Sequence, residues 1–478
     1  MPPQGLGMEE DMKKAARHFS VILKGILITG FSIQIAFGAV WMCFHFGCMQ
    51  EFGGSEGILY RGLRALTGGQ YWILYLLQLI VGFYAGYDFF RTVCPEGHFW
   101  NSWRSLVLLS FPMAMQCHMA LSPCSLVSSC FLLELSGVMA IVRGDAATKR
   151  TSHTKGKAVH PIFTEGTGFL RNLVRGGLCW LALSLLLPEY FILGGIPLVL
   201  SVLFRLPVLR KRLPELGAAV LVLSVCGGVI LGIGGLSGEK GYVPDRESVC
   251  FALFSRMAWP TLWPDSEYWP MEVQEAAAGC VWESSQRADN MQIILRPRLR
   301  EKFGDRQAAQ YYLQMAAYSW KRHTPLIIRQ IGGDFLGYCM TPLILPMQLE
   351  GEAYASYSGR NYEMMFQDTP LLTKYYVRYG CKWFAVMLVL ASVLAASNRI
   401  CRRERRKSCN ENRKRFAQVL ICLVPAGIVT AVYTFCGAGV MDYKRTVAVV
   451  LLWLAAALLG MRGAESENQG SAGAESMP

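Results

Sequence analysis

Residues 254–270 read FSRMAWPTLWPDSEYWP. Pro260, Pro264 and Pro270 each remove a backbone donor and restrain the residue before them, so neither a continuous helix nor a central strand fits this run. It reads as a shaped loop. Around it, residues 237–379 contain no long apolar run, whereas such runs precede and follow them. The segment is therefore expected to be a water-facing helical cap on a membrane bundle, and to supply half of whatever site the protein has.

The chain of 478 residues is 53% hydrophobic and only 17% charged. That is too apolar for a soluble protein of this size, and the surplus has to face lipid. The fold class that follows is all-α, a polytopic membrane protein in the cell membrane with the bilayer as its main partner. Lys and Arg number 47 against 34 Asp and Glu, a net charge of +13. These cations fall in short loops between apolar runs, so they read as topology signals and not as a nucleic-acid footprint. The 16 cysteines are scattered, many of them inside apolar runs. With no CxxC pair or Cys/His cluster, they predict neither a zinc site nor a disulfide framework. No Walker, HExxH, GxSxG or dinucleotide pattern occurs, so no metal or cofactor is predicted.

Apolar runs at 21–46, 71–90, 106–121, 125–142, 173–187, 191–204, 216–236, 383–396, 417–435 and 447–461 give about ten transmembrane helices. Lys13, Lys14 and Arg17 place the N-terminus inside, and the first run reads as a retained span. Arg91, the loop from Arg143 to Lys157, the cations Arg171, Arg175, Arg205 and Arg210, and the cluster from Arg399 to Arg415 all then fall on the cytoplasmic side. Both termini are cytoplasmic in this scheme. The resulting domains are a membrane bundle at 1–236, an outer helical segment at 237–379, a C-terminal membrane segment at 380–461, and a polar tail at 462–478. Within the outer segment, Pro270 with Glu272 and Glu275 starts a helix expected to reach about residue 291. Asp305 starts another, with Ala309, Tyr312, Leu313, Ala316 and Trp320 on one face, and Thr324 and Pro325 start a third.

Four carboxylates are candidates for acid/base work. Glu51 and Glu56 lie just beyond the outer end of the first run, where an acid meets an acceptor arriving at the membrane face. Asp265 and Glu267 stand two residues apart in the Trp/Pro stretch, where a rigid backbone would aim both at one substrate; loop capping is the alternative. Lys444 and Arg445 sit on the non-cytoplasmic side, against the charge rule the rest of the chain obeys. A phosphate ligand or snorkelling to lipid headgroups accounts for them, and Arg256 is grouped with them as a third phosphate-binding cation. Trp259, Trp263, Tyr268, Trp269, Tyr357, Arg360 and Tyr362 form polar-aromatic surfaces suited to sugar rings or to an interfacial belt.

In layout the chain resembles the GT-C class of integral membrane glycosyltransferases, which includes protein mannosyltransferases and lipid A aminoarabinose transferases. The resemblance rests on the acid-bearing loop of Glu51 and Glu56 after the first run, on seven runs followed by a helical outer segment, and on the basic-aromatic stretch from Met441 into the last run. It implies that Glu56 or Glu51 matches the catalytic acid, and that Lys444 and Arg445 face a polyprenyl-phosphate-linked sugar. That class usually carries an Asp in a longer loop. Residues 254–270 and 354–379 are also similar to uncharacterised multispan proteins of anaerobic Gram-positive bacteria, which implies no function.

The leading expectation is transfer of a sugar from a polyprenyl-phosphate donor to an acceptor on the outer face. A transporter or flippase for a lipid-linked or polar solute is the first rival, and a non-catalytic envelope assembly protein is the second. The carrier ranks lower because ionisable and helix-breaking residues look sparse within the apolar runs.

Overall fold

The computed structural model describes residues 5–45, 57–68, 70–93, 97–119, 123–143, 161–188, 190–210, 212–237, 246–258, 265–280, 290–340, 348–349, 352–353, 379–391, 393, 409–436, 449–451 and 454. In chain order the main helices are α1 (Gly5–His45), α2 (Ile58–Leu66), α3 (Tyr71–Val93), α4 (His98–Leu109), α5 (Pro112–Met119), α6 (Pro123–Arg143) and α7 (Pro161–Leu186). They continue with α8 (Tyr190–Leu209), α9 (Leu213–Ser237), α10 (Arg246–Ala258), α11 (Met271–Ala276), α12 (Arg296–Met340), α13 (Tyr379–Ala391) and α14 (Cys409–Cys436). One antiparallel pair, Gln348–Leu349 with Glu352–Ala353, is the sole extended element among the described residues, so the fold is all-α. Contacts divide the chain into two compact units: Met1–Glu239 with Pro342–Ala426 and Thr446–Pro478, and Lys240–Thr341 with Gly427–Arg445.

Among the described residues, 6 helices are long and apolar enough to cross a membrane: Val21–Cys43, Trp72–Val93, Pro123–Arg143, Gly168–Leu186, Tyr190–Leu209 and Leu213–Ile233. The chain is a multi-pass membrane protein. These helices coincide with the first, second and fourth to seventh apolar runs. The third run, 106–121, is not one straight helix. α4 stops at Leu109, Ser110 and Phe111 turn the chain, and α5 begins at Pro112. Pro112 has no N–H to continue the ladder, and Ser110 Oγ donates to the Val107 carbonyl at 2.9 Å, closing α4. All eight residues of α5 are buried.

The axis of the first unit is α6. In its crossing window 78% of residues are buried, against 11% for α9, and it packs on α3, α5, α7 and α8. The basic helix ends gather. The Arg143 guanidinium donates to the Thr92 carbonyl, and Lys414 Nζ donates to the Arg143 carbonyl at 2.8 Å. The C-terminal ends of α3 and α6 and the start of α14 therefore share one end of the bundle, as the charge rule requires of cations on one side.

The second unit is built on α10 and α12. Phe251, Phe254 and Ala258 are buried at i, i+3 and i+7 of α10, so 254–258 is helix and not the start of a loop; the helix stops just before Pro260. Phe254 stacks on Tyr312 with centroids 5.7 Å apart and meets the Trp269 ring edge-on at the same distance. The helix begun at Pro270 does not reach residue 291. It ends after six residues at α11, where Gly279 adopts a φ of +83° that only glycine takes readily. α12 is interrupted at Gly304 and His323, immediately before Asp305 and Thr324, the two starts read from the sequence. Its buried face is turned slightly from expectation. Ala308, Ala309, Tyr312, Met315, Ala316 and Ser319 are buried, while Leu313 and Trp320 are exposed.

Candidate functional site

Of the residues singled out in the sequence, Glu51, Glu56, Trp259, Trp263, Tyr357, Arg360, Tyr362, Lys444 and Arg445 lie outside the described residues, and Arg256 lies on α10. The remaining four fall in the second unit, where they separate. Asp265 is 1% exposed. It accepts a hydrogen bond from Ser319 Oγ at 3.0 Å and is bonded to His323 Nε2 at 2.9 Å. Glu267, in the 3₁₀ turn Ser266–Tyr268, is exposed. The two carboxylates therefore do not converge on one substrate, because that tight turn buries one and leaves the other in water. Trp269 is a core residue and not a sugar platform, since Phe254 takes its ring into the apolar cluster. Tyr268 is the aromatic left accessible: it stacks on Tyr318, and the Arg322 guanidinium lies 4.6 Å over its ring.

Asp265 and His323 form an oriented pair that sequence reading half found. The kink at His323, where Thr324 and Pro325 start the last segment of α12, turns the imidazole toward the loop carboxylate. The signal was local: a histidine directly before a Thr-Pro helix start. Elsewhere in this unit, Glu247 is held by both arms of Arg296 at 3.0 and 2.7 Å. That hydrogen bond raises the Arg296 pKa further. Burial, and then the neighbouring Glu247 carboxylate, push the Tyr312 phenol up.

The first unit holds a second and more unusual arrangement. Asp88 in α3 pairs with Arg175 in α7 at 2.5 Å and accepts a hydrogen bond from Ser136 in α6. Thr92 and Ser136 are bonded at 2.9 Å. All of these positions lie inside helices apolar enough to span a bilayer. Toward the opposite end of α6, Ser125 Oγ is bonded to His118 Nδ1 at 2.6 Å. Gln78 donates to the His118 carbonyl at 2.9 Å, and Tyr60 donates to Gln78 at 3.3 Å.

Between these two groups sits Glu134, fully buried, with neither carboxyl oxygen bonded to any partner among the described residues. Eleven residues separate it from Pro123, so at 1.5 Å each it lies roughly 16 Å along a helix of about 30 Å, close to the middle of the crossing. Cys130, one turn earlier on α6, and Cys179 on α7 are its titratable neighbours. A carboxylate in apolar surroundings without a partner is costly, so a proton, a cationic ligand or water has to accompany its charge. Glu134 is the mid-span exception to the expectation that ionisable residues are sparse there, and the break before Pro112 interrupts what reads by hydropathy as plain span. Asp88 lies nearer the end of its helix, and Arg175 is paired with it.

No group of His, Cys, Asp or Glu among the described residues is arranged to hold a metal ion. No protein family, curated protein or solved structure matches the chain.

Proposed function

We propose that this protein is a membrane carrier for a polar solute, with Glu134 as the group whose charge is exchanged during the cycle. The reading rests on one observation: a fully buried, unpartnered carboxyl at the centre of the most enclosed span. Ionisable groups enclosed within a membrane-spanning helix mark ion, proton or solute paths. The polar groups on either side of it, His118 with Ser125 and Asp88 with Arg175, extend a path toward both ends of α6. The helix break at Ser110 to Pro112 supplies the interrupted backbone that carriers use near a binding site. In this proposal the chain spans the cell membrane about ten times with both termini cytoplasmic, the gathered basic ends marking the inner side.

The test uses the full chain in vesicles loaded with a pH dye and challenged with gradients of amino acids, sugars and nucleosides. One class is expected to drive proton movement, and Glu134→Gln to abolish it at unchanged yield and melting temperature. A parent protein that moves none of them, or a Glu134→Gln variant that moves the solute equally fast, overturns the proposal.

A second reading keeps the sugar transferase, and Asp265 favours it. A buried carboxylate that fixes an imidazole is the arrangement by which a histidine is held ready to accept a proton from an attacking hydroxyl. In that reading His323 acts as the base on an acceptor, Tyr268 offers a sugar-stacking face, and Lys444 with Arg445 hold the polyprenyl phosphate. Transfer of labelled sugar from a polyprenyl-phosphate donor, lost in His323→Ala and retained in Glu134→Gln, would select this reading over the carrier. Transfer unaffected by His323→Ala would remove it.

A further inference from the structure

The outer surface of α6 and α7 carries an open recess of about 470 Å³ lined by Arg171, Val174, Arg175, Leu178, Cys130 and Ala182, among others. Two properties of this place do not follow from the carrier reading. The first is charge. Arg175 is neutralised by Asp88, but among the described residues no acid pairs with Arg171, one turn earlier on the same helix and just before the apolar run at 173–187. The second is shape. Val174, Leu178 and Ala182 follow at four-residue intervals, so they continue one stripe up the helix from the cations. Val174 and Leu178 are exposed, on a span whose surroundings are lipid.

A cation held at the hydrocarbon edge is stabilised by an anion that comes with its own apolar tail. The guanidinium is suited to this because it grips phosphate oxygens with paired donors and is weakly hydrated. Counting Arg171, Arg175 and Asp88, the recess has one positive charge to spare, which matches the single charge of a phosphodiester. We propose that the recess is a binding site for one anionic phospholipid, its headgroup on Arg171 and Arg175 and one acyl chain along Val174, Leu178 and Ala182. The inference does not rest on the carrier reading: Arg175 is shared with the polar path described there, and Arg171, which is not, carries the test.

The experiment is lipid retention by the full chain, purified in neutral detergent after exchange into bilayers holding equal phosphatidylglycerol and phosphatidylcholine, and read by native mass spectrometry. One phosphatidylglycerol per chain is expected to remain bound in preference to phosphatidylcholine. Arg171→Gln is expected to reduce that retention roughly fivefold to tenfold, the loss of one interfacial cation. Leu178→Trp, which fills the recess and leaves the charges alone, is expected to reduce it as well. Equal retention of the two lipids, or retention unchanged in both variants, overturns the inference. Release of the bound lipid by excess glycerol phosphate also overturns it, because that marks a soluble phosphate site.

Discussion

Removing the Arg296 guanidinium asks whether the second unit is held by a buried ion pair or by its apolar core alone. Arg296 donates to both Glu247 oxygens at 3.0 and 2.7 Å, the Glu247 side chain is 1% exposed, and the guanidinium lies 4.7 Å over the Phe251 ring. Arg296→Met keeps apolar bulk against Phe251 but strands the carboxylate. Breaking a buried pair from one side costs about 3–5 kcal/mol. Arg300, 4.0 Å from the same carboxylate and 43% exposed, takes over part of the charge, which sets the expectation at the lower end, about 3 kcal/mol. At roughly 1.4 kcal/mol per decade this raises the open population of the unit by about 150-fold. Cys250, buried in the same core one turn from Glu247, reports it. Its maleimide labelling in the full chain, followed by peptide mass, accelerates by that factor when opening and closing are fast. Adding Glu247→Gln removes the stranded charge and is expected to return labelling most of the way to the parent rate. An acceleration under roughly fivefold, the effect of an ordinary surface change, or a double variant that labels as fast as Arg296→Met, refutes the reasoning.

Two further outcomes follow from the same physics. Because the Tyr312 phenol is pushed up in the folded unit, by burial first and then by Glu247, folding holds its proton more tightly than the unfolded chain does. That contribution is complete below the ordinary tyrosine value of about 10 and is lost as the pH rises beyond it, so Cys250 labelling corrected for thiolate fraction is expected to accelerate in strong alkali, and less so in Tyr312→Phe. In the first unit, Gly57 donates its N–H to the Leu186 carbonyl at 2.9 Å, and a Cβ there would collide with the Leu185 and Leu186 carbonyl oxygens. Gly57→Ala is therefore expected to destabilise by about 1–3 kcal/mol, seen as a lower melting temperature in detergent, and an unchanged midpoint would show that α2 simply moves away.

What could be read from the sequence is what depends on averages and on local punctuation. Six spans were visible because an uninterrupted apolar stretch of that length has few other uses. The starts at Asp305 and Thr324 were visible because caps and prolines act through their immediate neighbours. Averaging also hid what matters most. Glu134 is one acid in a long apolar run, and hydropathy absorbs it. Its weight comes from being wholly enclosed by the helices packed around α6, a tertiary fact. Pro112 was likewise present in the third run, but only the turn at Ser110 and Phe111 shows that it divides the run in two. Trp269 and Tyr268, adjacent in a stretch rich in aromatics, read alike. Contact with Phe254 sends the first inward, and Tyr318 with Arg322 keeps the second at the surface.

The eight buried residues of α5 also constrain how the protein enters the bilayer. A helix of roughly 12 Å is far too short to be integrated as a crossing in its own right, and its free ends would leave peptide groups facing hydrocarbon. It therefore completes the run that α4 begins, and its seat is framed by α3 and α6. Because α6 follows α5 in the chain, that seat is incomplete until the later helix has been made.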